Sequence, residues 1–280
     1  MEGRRVVRTA KIMIRALLHG WREGAEAAAL ADDGASSARL RFDFFFSRLL
    51  KLGWKAGRDE GRRVSLSGMK ILYRFNRGDL QSLREILVLQ VYEAELGFVP
   101  TTVLDLGANI GLTSIWLHRR HAGGTQNAFR LVAVEAAAEN AAIARANLEA
   151  NGVPGEVVHA AAGLSSGLAW FEARVESNLG RMLDHEAAGT IPVCMTGIRE
   201  LLARFPGGKV DLVKMDIEGA EQDLLGHDTD WLESVRALMV EWHDDRADSR
   251  PLIEKVVAAG FQHRRLNAAR QENLSLFVRQ

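Results

Sequence analysis

The densest group of side chains that could do chemistry lies in one short stretch, Lys214-Met215-Asp216-Ile217-Glu218-Gly219-Ala220-Glu221. It follows an apolar run, so these polar groups come directly after a predicted strand. One acid could simply cap the next helix, but capping does not account for a lysine and three acids in eight residues. Carboxylates in such a place can take a proton from a substrate hydroxyl. We therefore predict Asp216 and Glu218 as the first candidates for a catalytic base.

A second polar group, Glu241-Trp242-His243, follows a later apolar run. His243 could be a general base or a structural histidine at the edge of the sheet. We predict His243 as the second candidate base and Glu241 as a substrate contact. Lys214 could contact the substrate or hold a carboxylate through an ion pair. A divalent metal could also be bound by Asp216, Glu241, His243 and Asp244, although a metal-free site is the favoured interpretation.

A turn with two glycines, taken together with Glu135, predicts a nucleoside ligand. In Gly107-Ala108-Asn109-Ile110-Gly111 the first glycine permits a tight turn, and the last lets a helix begin close to a ligand. Asn109 tolerates left-handed backbone better than other residues with a side chain. The spacing is not the G-x-G-x-x-G of pyrophosphate cofactors.

Glu135 ends the next predicted strand and could accept hydrogen bonds from ribose hydroxyls. The predicted cofactor-binding residues are Asp105, Gly107, Ala108, Asn109, Gly111, Glu135 and Ala161, the last leaving room for an adenine ring.

The elements that must position these residues alternate between strand and helix after Pro100. Short apolar runs alternate with amphipathic segments, a pattern that predicts a parallel sheet covered by helices on both faces. The predicted strands are Thr102–Leu106, Arg130–Glu135, Glu156–Ala160, Val210–Met215 and Ala237–Trp242.

The end of the chain departs from this alternation. Phe261–Leu266 and Leu274–Arg279 are separated by too few residues for a parallel crossover, so they must pair antiparallel. The predicted fold is α/β, a mostly parallel seven-stranded sheet with a terminal antiparallel hairpin, plus a helical N-terminal extension. This Rossmann-like layout is that of class I methyltransferases.

Residues 1–98 form a predicted N-terminal extension that acts as a cap or oligomerisation region, and residues 99–280 form the ligand-binding domain. Helix is predicted from residue 1 to about 30 and over Ser82–Leu96. Phe42, Phe44, Phe45 and Phe46 have the spacing of a buried helix face. A small hairpin is predicted from Arg63–Leu66 and Lys70–Phe75.

Composition narrows the possible partners. The 36 basic residues balance the 36 acidic ones, which gives no support for nucleic acid as a partner. The only cysteine, Cys194, excludes an internal disulfide and is expected to be a buried thiol. No apolar stretch approaches the roughly 20 residues that span a bilayer, so a cytoplasmic protein is expected. The basic N-terminal helix could lie on a membrane, although a solvated basic face is favoured. The sequence leaves open whether the protein forms a homo-oligomer.

Two stretches resemble the FkbM family of methyltransferases: Val103–Gly111 and, more distinctively, Leu212–Glu221. Val240–His243 resembles the family's segment after the fifth strand, and Ser177-Asn178 resembles a polar pair in its central insertion. The resemblance covers residues 74–278. It implies S-adenosylmethionine as cofactor and a small-molecule or glycan acceptor, with the methyl group going to a hydroxyl on a sugar, a glycan precursor or a secondary metabolite.

The resemblance also implies roles for the polar residues already described. The glycine turn and Glu135 would hold the cofactor, and Asp216 and Glu218 would face the reaction. Ser177 and Asn178 become predicted substrate contacts. The alternatives are an NAD-dependent oxidoreductase and a non-catalytic nucleoside-binding module with the same fold.

Overall fold

The computed structural model describes residues 2–51, 61–75, 78–121, 129–172, 181–183, 186, 189–218, 220–244, 248–266 and 273–279. Contacts divide the chain into two units, Met1–Leu89 and Gln90–Gln280. Among the described residues, no helix combines the length and the apolar character needed to cross a membrane.

The first unit begins with two long helices, α1 (Glu2–Ala28) and α2 (Gly34–Lys51). The two helices pack closely at Gly20, which has no side chain to keep them apart. A Cβ atom added there would lie 2.7 Å from the backbone oxygen of Phe44. The aromatic face of α2 is only partly core. Phe44 is buried, but Phe42 is 50% exposed, so its prediction as a core residue was wrong.

The unit continues with the predicted hairpin, formed by β1 (Gly61–Leu66) and β2 (Met69–Arg74), which pair antiparallel. A short helix, α3 (Asp79–Leu83), runs on as one π-helical turn to Val88. The helix predicted to reach Leu96 therefore ends eight residues early. Gln90 adopts a φ of 50°, a left-handed conformation that a continuing helix does not allow and that a glutamine does not signal in the sequence.

The second unit contains eleven strands and five α-helices among its described residues, in strand–helix alternation interrupted by the run of strands over residues 161–197. In chain order these elements are β3 (Thr102–Leu106), α4 (Leu112–His121), β4 (Arg130–Glu135), α5 (Ala138–Ala150), β5 (Gly155–His159), β6 (Ala161–Gly163), β7 (Gly167–Glu172), β8 (Arg181–Leu183), β9 (Thr190–Gly197), α6 (Ile198–Leu202), β10 (Val210–Met215), α7 (Glu221–Gly226), β11 (Val235–Glu241), α8 (Arg250–Ala258), β12 (Phe261–Arg265) and β13 (Leu274–Arg279).

Seven of these strands form one sheet in the order β12-β13-β11-β10-β3-β4-β5. The five strands from β11 to β5 are parallel, and β13 pairs antiparallel with both β11 and β12. The predicted fold class is confirmed, including the terminal hairpin. Successive strands β3, β4 and β5 extend the sheet in one direction and β10 in the other, so the strand order reverses between β3 and β10.

The sequence analysis missed a second sheet of four strands in the order β6-β9-β7-β8. Two of its strands, β6 and β8, have only three residues each, and Pro192 interrupts the apolar pattern of β9. The thiol of Cys194 is exposed, which makes its prediction as a buried thiol wrong. It lies between buried Val193 and half-buried Met195, because successive residues of a strand point to opposite faces.

Candidate functional site

The candidate site lies at the carboxyl ends of β3, β4, β10 and β11. Ligands of open α/β sheets bind at these ends, where the strand order reverses. Two groups of residues meet there. The glycine loop is residues 107–111, and the acidic cluster is Asp216, Glu218, Glu221, Glu241 and His243.

Gly107 brings the glycine loop against the acidic cluster. Its φ is +76°, and a Cβ atom built there would lie 1.6 Å from the backbone oxygen of Asp216. The amide of Asp216 donates to the carbonyl of Leu106 at 3.0 Å, and the amides of Gly107 and Ala108 both donate to the carbonyl of Val134 at 3.0 Å. Only glycine fits this position, because any side chain would collide with the neighbouring backbone.

The far end of the glycine loop rests on α5. Gly111 has a φ of +81°, and its Cβ would lie 2.9 Å from the side chain of Leu148. Asn109 takes a φ of 49°, the left-handed conformation that the sequence suggested. The side-chain amide of Asn147 donates to the carbonyl of Ile110 at 2.8 Å. No sequence pattern had singled out Asn147, which lies within an alanine-rich helix.

Glu135 holds the glycine loop from the end of β4. Its carboxylate accepts the amides of Asn109 at 2.8 Å and Ala137 at 2.9 Å, with Asn140 at 3.4 Å. Burial raises the pKa of Glu135, while these hydrogen bonds and the charge of Lys214 act in the opposite direction. A carboxylate has about four lone-pair sites, so it keeps acceptor capacity for a ligand beside the loop.

Three further predicted cofactor residues are buried. Asp105 is fully buried and accepts the Ser114 hydroxyl at 2.6 Å, a hydrogen bond that connects β3 to α4. Ala108 and Ala161 are 3% and 4% exposed. Ala161 begins β6 and packs in a small apolar cluster with Ala169 and Val193.

Lys214 joins the two halves of the site. Its ammonium donates to the carbonyl of Gly107 at 2.8 Å and lies 3.3 Å from Asp105 and 3.5 Å from Asp216. Burial lowers the pKa of Lys214, but the charges of Asp105, Asp216 and Glu241 outweigh it, and the net pKa is raised. The side chain is 2% exposed, so a direct contact with substrate would require it to leave these partners.

His243 lies among the carboxylates of the acidic cluster. Its Nδ1 is 3.0 Å from Glu221, and its Nε2 is 3.6 Å from Glu218 and 3.8 Å from Asp216. Burial lowers the pKa of this imidazole, but the hydrogen bond and charge of Glu221, with the other two acids, raise it to about 9. Glu221 is buried and also accepts the amide of Ile217 at 3.2 Å. Sequence analysis had placed Glu221 in the polar stretch without giving it a role.

Glu241 completes the acidic cluster. It accepts the Tyr92 hydroxyl at 3.2 Å and the Asn273 amide at 3.4 Å. Burial and the charges of Asp216 and Glu241 raise the pKa of Tyr92 well above its ordinary value. Tyr92 and Asn273 lie far from the motifs in sequence, so no local pattern could have identified them.

A metal ion could be held by one oxygen each of Asp216 and Glu241 together with one nitrogen of His243, since these atoms lie within 4.8 Å of one another. Asp244, the fourth candidate ligand, instead accepts the amide of Ser249 at 3.0 Å, before α8. The predicted substrate contacts Ser177 and Asn178 lie outside the described residues.

A family model described as "Methyltransferase FkbM domain" matches residues 105–265 of the chain. The match covers more than half of the sequence and includes the glycine loop and the acidic cluster. The protein belongs to the FkbM methyltransferase family, as the sequence motifs had indicated, and is a methyltransferase.

Several solved structures are similar to the chain. The O-methyltransferase TomG from Streptomyces achromogenes in complex with SAM is 17% identical, with a TM-score of 0.41, and the match covers 65% of this chain and 74% of that one. The cofactor-bound Rv0187 from MTB is 19% identical, with a TM-score of 0.40 and the same coverage. An O-methyltransferase from Bacillus cereus in complex with SAH is 16% identical, with a TM-score of 0.37 and coverage of 64% and 74%.

Similarities of this size do not identify a donor, an acceptor or the role of any residue in this chain. A sequence search of curated proteins gives no match.

Proposed function

We infer that this methyltransferase uses S-adenosylmethionine to methylate a hydroxyl oxygen on a sugar, a glycan precursor or a secondary metabolite. One observation carries the proposal: the glycine loop and the acidic cluster touch at the Gly107–Asp216 contact and share the ammonium of Lys214. A nucleoside donor on the loop would therefore lie beside groups that can take a proton from an acceptor.

The residues of the glycine loop fit such a donor. Two positive-φ glycines leave the loop without a side chain at its first and last positions, and Glu135 is a buried carboxylate with acceptor capacity beside it. A buried carboxylate is suited to a pair of neighbouring hydroxyls, because each of its oxygens can accept one of them. Ala161 stays a predicted cofactor residue, whose small side chain would leave room for an adenine ring. Lys214, which holds the Gly107 carbonyl, acts in this proposal as a positioning residue.

S-adenosylmethionine supplies a methyl group bonded to a sulfonium, so the donor brings its own electrophile. The task of the protein is to align an acceptor oxygen and to receive its proton, which is worth about 10²–10⁴-fold in rate. Asp216 and Glu218 are the first candidates, since both carboxylates are partly exposed at the mouth of the cleft. His243 ranks behind them as a base, because its raised pKa leaves the imidazole protonated at neutral pH, and it must lose that proton before it can accept another.

The acceptor would lie against Glu241 and the candidate bases. A polar acceptor with several hydroxyls suits a site with this many carboxylates, because each can accept a hydrogen bond from one of them. Ser177 and Asn178 stay predicted substrate contacts.

Calorimetric titration of the full chain with S-adenosylmethionine and with NAD tests the donor. We expect binding of S-adenosylmethionine alone. Tight NAD binding without S-adenosylmethionine binding would support an oxidoreductase and overturn the proposal.

Transfer of a labelled methyl group into cell extract tests the chemistry. Asp216→Asn and Glu218→Gln should each lower the rate, with Asp223→Asn, an exposed acid on α7, as the matched control. Near-normal rates in both variants would remove these carboxylates from a catalytic role. Donor binding without transfer from any extract would favour the non-catalytic module.

A further inference from the structure

Three side chains from two neighbouring strand ends converge at the mouth of the cleft. Asp216 follows β10, Glu241 ends β11, and His243 lies two residues further on. Each offers one ligand atom, and these atoms lie within 4.8 Å of one another. Ligand atoms on opposite sides of a divalent ion, with bonds of about 2.0–2.4 Å, are about 4–4.8 Å apart. A single ion could therefore contact all three.

The imidazole of His243 is oriented for such an ion by a residue outside the three. Glu221, which is buried, holds Nδ1 at 3.0 Å. Nε2 then faces Asp216 at 3.8 Å and Glu218 at 3.6 Å. Histidines that ligate a metal through one ring nitrogen usually hold a carboxylate, a carbonyl or a water on the other, as Glu221 is held here on Nδ1.

The two carboxylates are also held by groups outside the three. Tyr92 and Asn273 each donate to a different oxygen of Glu241. Lys214 lies beside Oδ2 of Asp216 at 3.5 Å, which leaves Oδ1 on the side of His243. Ligands positioned in advance lose little conformational freedom when an ion binds.

The charges of the site favour a cation. Five carboxylates (Asp105, Asp216, Glu218, Glu221 and Glu241) interact with one lysine and one histidine. Even with the imidazole protonated, negative charge exceeds positive charge by three. Lys214 is in contact with Asp105 and Asp216, so most of the excess lies at Glu218, Glu221 and Glu241. A divalent ion between the strand ends would offset it.

We propose that Asp216, Glu241 and His243 bind one divalent cation of the Mn²⁺ type, with Glu221 as the positioning residue of His243. Two carboxylates and one imidazole suit Mn²⁺ better than the softer ions, which prefer thiolates. This differs from the metal-free site favoured by the sequence. Its catalytic consequence rests on the proposed function: a cation lowers the pKa of a hydroxyl in contact with it, and Glu218 is left to accept the proton.

The test measures binding directly. Full-length protein is freed of metals with a chelator and titrated with Mn²⁺, while electron paramagnetic resonance reports the free ion. We expect one Mn²⁺ per chain. Asp216→Asn and His243→Ala should each weaken binding at least about 10-fold, and Glu221→Gln about 10- to 100-fold. Asp223→Asn, exposed on the same helix as Glu221, should bind as the unchanged protein does.

A measurement on the wild-type protein does not depend on whether any variant folds. Bound Mn²⁺ should broaden the imidazole NMR signals of His243 at lower concentrations than those of His118, in the last turn of α4. Absence of Mn²⁺ binding up to millimolar concentration would overturn the proposal, as would equal affinity in the Asp216 and His243 variants.

Titration with S-adenosylmethionine in the presence of chelator separates this proposal from the proposed function. Donor binding in a protein that takes up no Mn²⁺ would reject the cation site and leave the donor assignment intact. Site-specific Mn²⁺ binding without donor binding would reject the donor assignment and leave the cation site intact.

Discussion

The glycine loop and the acidic cluster adjoin each other at the same sheet edge, yet they are built in different ways. The loop depends on backbone: two glycines with positive φ, amides that donate to Val134 and Glu135, and a carbonyl held by Asn147. The cluster depends on ionisable side chains that come from two strand ends and the helix between them. One half of the site is therefore specified by chain geometry, and the other by the balance of charge.

This difference affects how each half tolerates substitution. A backbone-built loop fails when a side chain is added, because atoms collide. A charge-built cluster fails when one charge is removed, because a buried partner loses its compensation. Lys214 belongs to both halves, since it donates to Gly107 and neutralises Asp105 and Asp216.

Gly107→Ala should have the largest effect. The left-handed φ costs a residue with a Cβ about 1–2 kcal/mol, and the collision with Asp216 adds to this because backbone must move. We expect no detectable donor binding by calorimetry and a large fall in melting temperature. Gly152→Ala is the control: its φ is +62° with no atom within 4 Å of the added Cβ, so it carries the strain without the collision. Equal losses in the two variants would contradict the contact at Gly107.

Lys214→Met should rank second. Removing one partner of a buried ion pair costs about 3–5 kcal/mol, and here two acids lose their partner. Chemical denaturation should show that loss, and donor affinity should fall as well, because the Gly107 carbonyl loses its donor. Lys209→Met, exposed just before β10, should leave both quantities unchanged. Full stability in the Lys214→Met variant would mean that the two halves are not coupled through this ammonium.

Glu135→Gln tests the one charge in the backbone-built half. The substitution places an NH₂ group among amide donors and weakens hydrogen bonds that are worth about 1.5–3 kcal/mol, or roughly 10- to 100-fold in donor affinity. Calorimetry with S-adenosylmethionine measures the change. Glu139→Gln, exposed in the first turn of α5, is the matched control. An affinity within twofold of wild type would exclude Glu135 as a ligand contact.

Asp211→Asn, at the opposite end of β10 from the site, should have the smallest effect. Its carboxylate accepts the amides of Thr101 and Thr102 and the Thr101 hydroxyl. Burial raises the pKa of Asp211, but these bonds outweigh it and hold the pKa below its ordinary value of 3.8. A lowered folded-state pKa adds stability above the unfolded pKa, and that stability disappears as the pH falls through the folded pKa.

We therefore expect Asp211→Asn to lower the free energy of unfolding by about 1 kcal/mol at pH 7. This loss of stability should shrink toward zero below the ordinary pKa of the carboxyl, and donor affinity should be unchanged. Denaturation curves at several pH values measure it. A loss that is independent of pH would show that the charge of Asp211 is not what stabilises this end of the sheet.

Local sequence patterns predicted most of the sheet. Thr102–Leu106, Arg130–Glu135 and Val210–Met215 were predicted with their observed bounds, because buried parallel strands are short apolar runs that end abruptly at polar turns. The four-stranded sheet was missed because two of its strands have only three residues and a third, β9, contains a proline. The helix predicted to reach Leu96 ended early at the left-handed Gln90, a conformation set by packing and not by residue type.

The sequence by itself determined the fold and the position of the polar groups, because glycine spacing, strand alternation and carboxylates after strands are local properties. The contact of Gly107 with Asp216, the burial of Lys214 and the pairing of Glu221 with His243 were decided by the tertiary structure alone. These depend on strand order and on side chains distant in sequence, such as Tyr92 and Asn273. Charges shift one another's pKa values only after the fold has brought them together and removed water from between them.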